Sequence, residues 1–489
     1  MTVQKQFGKA VAWMALGNWT EQAVNFIVFV TLARLLGAEA FGLLAMAAVF
    51  VIFSEFLVRE TLSEALISLP DIDDGHLNAS FWSLTVFGLG LGAVIVLGAG
   101  LIGAFYDEPR IVPLVQTLAL SVPIIAVTAV PVTILRRKME FRILSLRAIA
   151  GVIAGGIVGI AMAMSGAGVW ALVGQRLVQV GVNVVLAWGA VAWRPRFNVS
   201  LQMLRDTGGL GVQVLLLRVG EIALTQLPVL IIGAVLGPIS AGIYSIAWRL
   251  VELASVLIAM PIRMAAQPAF AAINRQGEKA AEFLVDLIRL AGWLAFPAFA
   301  GLSVLALPFL ASVFGDKWLA AAPVLMVMAP LGAYLSVEKQ HQAFSLAKGR
   351  AGALAVLTWV EAAAIAVVIY VVLPRGLDMA TLAQILVLGA LWPIRFVVIA
   401  RMAGISALEL ARPHVAPVVS CLIMAGLVAW SLDLWAGLPD QGKLVLGGAM
   451  GVVIYGVLTL AIMRDRFALA ASYVSVTRGK TDSGPVGRE

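Results

Sequence analysis

Apolar runs of about 20 residues or more, the length an α-helix needs to cross a bilayer, succeed one another along almost the whole sequence. In the first half they cover 11–34, 41–68, 77–106, 113–135, 147–166, 168–192 and 207–236. In the second they cover 240–268, 287–314, 320–345, 351–373, 380–402, 413–436 and 443–463. Backbone in lipid must satisfy its hydrogen bonds within the segment, so each run is predicted to be a helix. The expected fold is an all-α membrane protein of about fourteen transmembrane helices. Composition agrees, with 61% hydrophobic and 12% charged residues among 489.

The connectors are short, about 20 residues at most, which leaves no room for a soluble catalytic domain between spans. The N-terminus is basic and then apolar, but Asn18, Thr20 and Glu21 interrupt it and no small-residue cleavage site follows, so it reads as an uncleaved first helix. Cys421, the single cysteine, excludes an intramolecular disulfide. The net charge of +7 is spread between apolar runs, as topology determinants are, and not gathered into a nucleic-acid patch.

Orientation follows from those charges. Arg136, Arg137, Lys138 and Arg142 follow the fourth run; Arg194, Arg196 and Arg205 the sixth; Arg275 and Lys279 the eighth; Lys348 and Arg350 the tenth; Arg412 the twelfth. The tail carries Arg464, Arg466, Arg478 and Lys480, whereas odd-numbered connectors hold little beyond Arg110, Lys317, Arg375 and Lys443. Both termini are therefore expected in the cytoplasm. The acidic connector Asp71, Asp73, Asp74 fits poorly, but acidic residues weigh little in this rule.

An internal repeat appears at an offset of 200 residues. LLGAEAFGLLAMA at 35–47 faces VLGPISAGIYSIA at 235–247, and Leu16/Leu216, Glu21/Glu221, Ala23/Ala223, Gly37/Gly237 and Gly42/Gly242 match. The offset carries spans one and two onto seven and eight in the same direction, a parallel repeat. The expected organisation is a six-helix lobe at 1–206, a second at 207–410, two further helices at 411–464 and a polar tail at 465–489. Two such bundles imply alternating access.

Ionisable groups at bilayer depth cost at least about 2.5 kcal/mol each on insertion scales and mark cavities or partners. Arg218 and Glu221, and Arg249 and Glu252, lie three apart, each pair on one helix face. Arg218 and Arg249 read either as phosphate-binding groups or as halves of self-neutralising pairs. Arg59 lies toward the cytoplasmic end of span two with Glu60 and Glu64, four residues from Glu55, with which it can pair. Arg176 lies mid-span with no acidic residue within a turn, lining a cavity or reaching outward. The repeat-matched Glu21 and Glu221 are candidates for ion coupling or for helix–helix hydrogen bonds. SVEKQHQ at 336–342 reads as an interfacial stretch, and His76, His341 and His414 have no metal-ligand spacing. The glycines of GVIAGGIVG at 151–159 suit close helix packing. No phosphate-binding loop motif occurs, so no nucleotide or other cofactor is expected.

LARLLGAEAFGLLAMAAVFVIFSEFLVRETLSEALI at 32–67 resembles the opening of polysaccharide transporters, the oligosaccharide-flippase branch of the multidrug/oligosaccharidyl-lipid/polysaccharide exporter superfamily. The likeness extends through 135–178 and 231–262, and Gly37, Gly42, Gly237 and Gly242 match the family's short turns between spans one and two and seven and eight. Late in span seven, where many members carry Asn or Asp, this sequence has Thr225, Gln226 and Pro228. The resemblance implies export of undecaprenyl-pyrophosphate-linked oligosaccharide across a bacterial inner membrane, for O-antigen or exopolysaccharide synthesis. Its expected partners are the lipid-linked substrate, membrane lipids, and a polymerase and glycosyltransferases. A multidrug/cation antiporter, which would rely on acidic and aromatic groups, and a non-transporting scaffold are the alternatives. A membrane polymerase or ligase would need a large outward loop that the short odd-numbered connectors do not supply.

Overall fold

A computed structural model describes residues 3–68, 72–197, 212–276 and 280–462. Every regular element among them is helical. The first seven are α1 (Val3–Leu35), α2 (Ala38–Ser68), α3 (Asp74–Phe105), α4 (Ile111–Ala119), α5 (Ser121–Arg137), α6 (Phe141–Met164) and α7 (Trp170–Gly189). They are followed by α8 (Val212–Gln276), α9 (Ala280–Val304), α10 (Ala306–Val313), α11 (Ala322–Ala347), α12 (Ala351–Val372), α13 (Leu377–Ala403), α14 (Ala407–Leu434) and α15 (Asp440–Ile462). The tail from Asp465 and the connector charges Asp71, Arg205 and Lys279 lie outside the described residues.

Twelve stretches of the described residues are long and apolar enough to cross a bilayer. One of them, Val214–Ala259, holds two of the expected spans, joined at Gly237, whose φ of 76° lies in the left-handed region that glycine adopts without penalty. Helix α1 is 33 residues long but falls outside the twelve, diluted by Asn18, Glu21, Gln22 and Asn25. These two facts account for the difference from the expected fourteen. Large apolar side chains remain exposed mid-helix, Leu97 at 85% and Val452 at 75%. In water such surface would be a liability; facing hydrocarbon it is the normal solvated face. The protein is a multi-pass membrane protein.

Packing divides the chain into two units. The first comprises Met1–Arg249, Val313–Val324 and Ala351–Ala390; the second comprises Leu250–Ser312, Leu325–Arg350 and Leu391–Glu489.

In the first unit α6 lies against α1 and α7, and α5 against α2, α3 and α7. Glycines set these distances. A Cβ at Gly155 would stand 2.5 Å from the Gln175 carbonyl oxygen, and one at Gly159 2.8 Å from the Gln175 Cβ, so the 151–155–159 face of α6 admits α7 only as glycine. Gly156, on another face, receives Val28 of α1. Apolar side chains such as Met46, Val115 and Val122 fill the core between α2, α4 and α5. Asp73 caps α3, accepting a 2.9 Å hydrogen bond from the His76 N–H, and the His76 hydrogen bonds hold its carboxyl below the usual range. Arg110 donates to Glu39 and Glu108 at 2.8 and 2.7 Å, tying the 106–110 turn to the start of α2.

The repeat has a direct counterpart in this packing. A Cβ on Gly42 would fall 1.7 Å from the Pro238 carbonyl oxygen, and one on Gly242 1.9 Å from the Ala38 carbonyl oxygen. The two contacts are the same contact with the repeats exchanged, as across a two-fold axis. Gly42 and Gly242 thus serve close approach, while the turn conformation falls to Gly237.

In the second unit α9 packs on α14 and α15, and α14 on α15. Leu305, Met424, Val428 and Tyr455 form their shared core, and the Tyr455 hydroxyl donates to the Trp293 carbonyl at 3.0 Å. The stretch 336–342 does not reach out to its surroundings but is largely enclosed by protein: Ser336, Gln340 and His341 are fully buried, with Glu338 and Gln342 at 5% and 8%. Tertiary packing against α13 encloses a polar run that the local sequence places near a headgroup layer.

Candidate functional site

Five helices of the first unit enclose a polar cavity of about 420 Å³. Glu21 enters it from α1, Arg59 from α2, Thr128, Thr133 and Arg136 from α5, Arg147 from α6, and Arg176, Gln179 and Asn183 from α7. The glycine face of α6 makes this possible, because it lets α7 approach closely enough for Arg176, Gln179 and Asn183 to share one space with Arg147.

Four guanidinium groups against one lining carboxylate make the cavity strongly positive. Arg176 is half-buried and paired with Glu55 of α2, which is almost fully buried and also accepts a 2.5 Å hydrogen bond from the Ser121 hydroxyl. Glu55 is thereby directed to α7 and α5, and Arg59, one turn further along α2, lines the cavity. Arg147 stands in the field of Arg136 and Arg59, with Glu21 as the opposing charge. Two buried polar atoms here, Arg147 Nε and Asn183 Oδ1, have no hydrogen-bond partner among the described residues. Leaving such groups unsatisfied costs about 1–3 kcal/mol each, more for a charged one. A ligand bearing both acceptors and donors would satisfy them, and arginine's planar fork suits phosphate oxygens in particular.

Of the residues singled out from sequence, the structure brings Arg59, Arg176 and Glu21 together here. Arg218 and Glu221 pair with each other at 3.2 Å on α8, and Arg249 is exposed on the same helix. Among the described residues, none of these three lines the cavity. The arginines that sequence reasoning did not single out are Arg136 and Arg147. Arg136 reads as one of four clustered topology charges, and Arg147 sits at the first position of an apolar run; its place inside that run, beyond the polar punctuation, was the available signal.

The profile of the polysaccharide biosynthesis protein family matches residues 31–323. Teichuronic acid biosynthesis protein TuaB of Bacillus subtilis is 25% identical over 353 residues, covering 72% of this chain and 73% of its own. Succinoglycan biosynthesis transport protein ExoT of Rhizobium meliloti is 24% identical over 471 residues, 94% of each chain. Lipopolysaccharide biosynthesis protein WzxC of Escherichia coli is 24% identical over 356 residues, 72% of each. In fold, the chain resembles the lipid II flippase MurJ in an inward closed conformation, with a TM-score of 0.71, 12% identity and coverage of 92% of this chain and 99% of that one. An inward-facing multidrug resistance MATE transporter of the MOP superfamily gives a TM-score of 0.54 at 16% identity, over 78% and 96%. The chain belongs to the polysaccharide biosynthesis protein family.

Proposed function

We propose that this protein flips an undecaprenyl-pyrophosphate-linked oligosaccharide across the bacterial inner membrane for surface polysaccharide synthesis. The observation that carries the reading is the arginine-lined cavity of the first unit. A pyrophosphate has to leave water to cross a bilayer, and a ready-made set of guanidinium groups replaces its hydration with charge-assisted hydrogen bonds. The names of the relatives, two of them polysaccharide biosynthesis proteins and one a biosynthesis transport protein, support the same assignment.

In this reading Arg59, Arg136, Arg147 and Arg176 hold the pyrophosphate. Glu21 tunes the field around it, either through its charge or by taking up an ion. Arg218 and Arg249 are secondary candidates for substrate contact, with Glu221 a secondary candidate for ion coupling. Transport proceeds by alternating access of the two repeat-related lobes, 1–206 and 207–410, with 411–464 as accessory helices and both termini in the cytoplasm. No bond is made or broken in the substrate, so the activity is transport and not catalysis. The polymerase and glycosyltransferases of the pathway are its proposed protein partners. A cation antiporter is disfavoured by the same arginines, which would repel its ligand.

The test is the leaflet distribution of the lipid-linked oligosaccharide in cells depleted of this protein and complemented with wild type, Arg147→Ala or Arg249→Ala. The expected result is inner-leaflet accumulation rescued by wild type and not by Arg147→Ala. A leaflet distribution unaffected by depletion would favour the scaffold reading, and full rescue by Arg147→Ala would remove the cavity from the transport path.

A further inference from the structure

In the second unit, α11 and α13 enclose a cluster of ionisable groups that the oligosaccharide cavity does not use. Glu338, 5% exposed, pairs with Arg395 of α13, 2% exposed. His341, fully buried one turn along α11, presents Nδ1 to the other carboxylate oxygen of Glu338 at 3.4 Å. Its ring packs edge-on against Phe396, with centroids 5.9 Å apart.

The hydrogen-bond pattern assigns the imidazole's tautomer. With Nδ1 facing a carboxylate, the ring hydrogen belongs on Nδ1, and Nε2 then carries a lone pair. That Nε2 is buried and has no hydrogen-bond partner among the described residues. Gln340 beside it is fully buried with both amide atoms equally unmatched. A buried basic nitrogen with nothing donating to it is costly unless something visits it, and an imidazole exchanges protons in the physiological range. The charged groups acting on Glu338 are Arg395, His341 and Lys339. From α14 comes His414, whose ring meets Phe396 and Trp392.

We propose that Glu338, His341 and Arg395 form a proton-binding site through which a transmembrane pH difference acts on this unit. One proton from the aqueous phase binds the His341 Nε2 lone pair, the hydrogen on Nδ1 stays, and the ring becomes an imidazolium. Two cations then draw on the Glu338 carboxylate. The Glu338–Arg395 attraction that holds α11 to α13 is weakened, and it is restored when the proton leaves.

The test has two arms, the second resting on the flippase reading. In the first, the full chain labelled with ¹⁵N-histidine is placed in lipid nanodiscs and followed by solid-state NMR across a pH titration. The chain has three histidines, so His341 is assigned by its loss in His341→Gln or, should that variant not fold, by elimination with His76→Gln and His414→Gln. The expected result is an Nδ1–H tautomer at high pH whose Nε2 becomes protonated, reversibly, as pH falls. An imidazole that never changes state, or one with its hydrogen on Nε2 at high pH, overturns the proposal whatever the transport result. In the second arm, transfer of lipid-linked oligosaccharide is measured in vesicles with an imposed pH difference of one unit, a factor of ten for one proton. The difference should speed or slow wild type and leave His341→Gln unchanged. Titration with wild-type transfer indifferent to the gradient overturns the coupling role. Titration in a wild-type protein that transfers no lipid supports the proton site while the flippase reading fails.

Discussion

Gly242→Ala is the substitution whose sign is most informative. Ordinarily alanine replaces glycine in a helix with a gain of roughly 0.5–1 kcal/mol. At Gly242 the new methyl would stand 1.9 Å from the Ala38 carbonyl oxygen, 1.5 Å short of the 3.4 Å at which ordinary contact begins. The obstacle is backbone, so no side chain can rotate away, and α8 and α2 must separate. Overpacking of this kind costs roughly 1–3 kcal/mol, which outweighs the propensity gain. Gly90→Ala is the control, since a Cβ there meets nothing within 4 Å. In equilibrium unfolding of the detergent-solubilised protein, Gly242→Ala should lower stability and Gly90→Ala should not. Gly42→Ala acts on the reciprocal contact, so the double variant should cost less than the two singles combined, because helices already forced apart accommodate the second methyl. A Gly242→Ala protein as stable as Gly90→Ala would refute the crossing of the repeats at these two glycines.

Three further outcomes follow from the same packing. Arg147→Gln removes a charged donor whose Nε has no hydrogen-bond partner among the described residues, and should weaken binding of a synthetic polyprenyl pyrophosphate roughly ten- to hundredfold by calorimetry in nanodiscs. Arg218→Gln, whose guanidinium already answers Glu221, should lose less. The hydrogen bonds from Arg110 hold the Glu108 carboxyl below its usual range, so the stability it contributes is present above its ordinary value of 4.5 and is lost as pH falls through the lowered one. Hydrogen exchange of the 106–110 turn should rise on acidification in wild type, by a small amount because the Arg110 side of the pair is exposed, and be insensitive to it in Arg110→Ala. A double-mutant cycle of Glu55→Gln and Arg176→Gln should give a coupling of about 1 kcal/mol, at the low end for partners in contact because Arg176 remains partly exposed; additive effects would show that Ser121, and not Arg176, is the partner that matters to Glu55.

The spans were legible because bilayer thickness imposes run length, and the sequence has little but runs. The repeat was legible because Gly42 and Gly242 are the positions where any side chain would collide with the other copy's backbone, so the motif and the contact are the same constraint. The cavity lining was legible in part. Arg59, Arg176 and Glu21 stand out as charges in apolar surroundings, whereas Arg136 is indistinguishable by composition from the topology charges beside it. Nor does any local spacing reveal that Glu55 answers Arg176, 121 residues away. The burial of 336–342 fails to show for the same reason: periodicity reports one helix, and the groups that enclose His341 come from another.

Two kinds of ion pair among the described residues have different consequences. Arg218–Glu221 and Arg289–Asp286 are three apart on one helix, each at 3.2 Å. Their partners travel together, so a rigid movement of that helix leaves the pair intact and the pair does not oppose it. Glu55–Arg176 joins α2 to α7, and Glu338–Arg395 joins α11 to α13. In these a competitor for one partner alters the attraction between two helices. In the proposed roles, a pyrophosphate drawing on Arg176 releases Glu55, and a proton on His341 draws on Glu338. Each exchange needs a differential free energy of only a few kcal/mol to shift a two-state equilibrium substantially. Intramembrane charge is therefore tied to helix movement here where its partner lies on another helix, which is why Glu55–Arg176 and Glu338–Arg395, rather than Arg218–Glu221, are the pairs at which substitution should change transport.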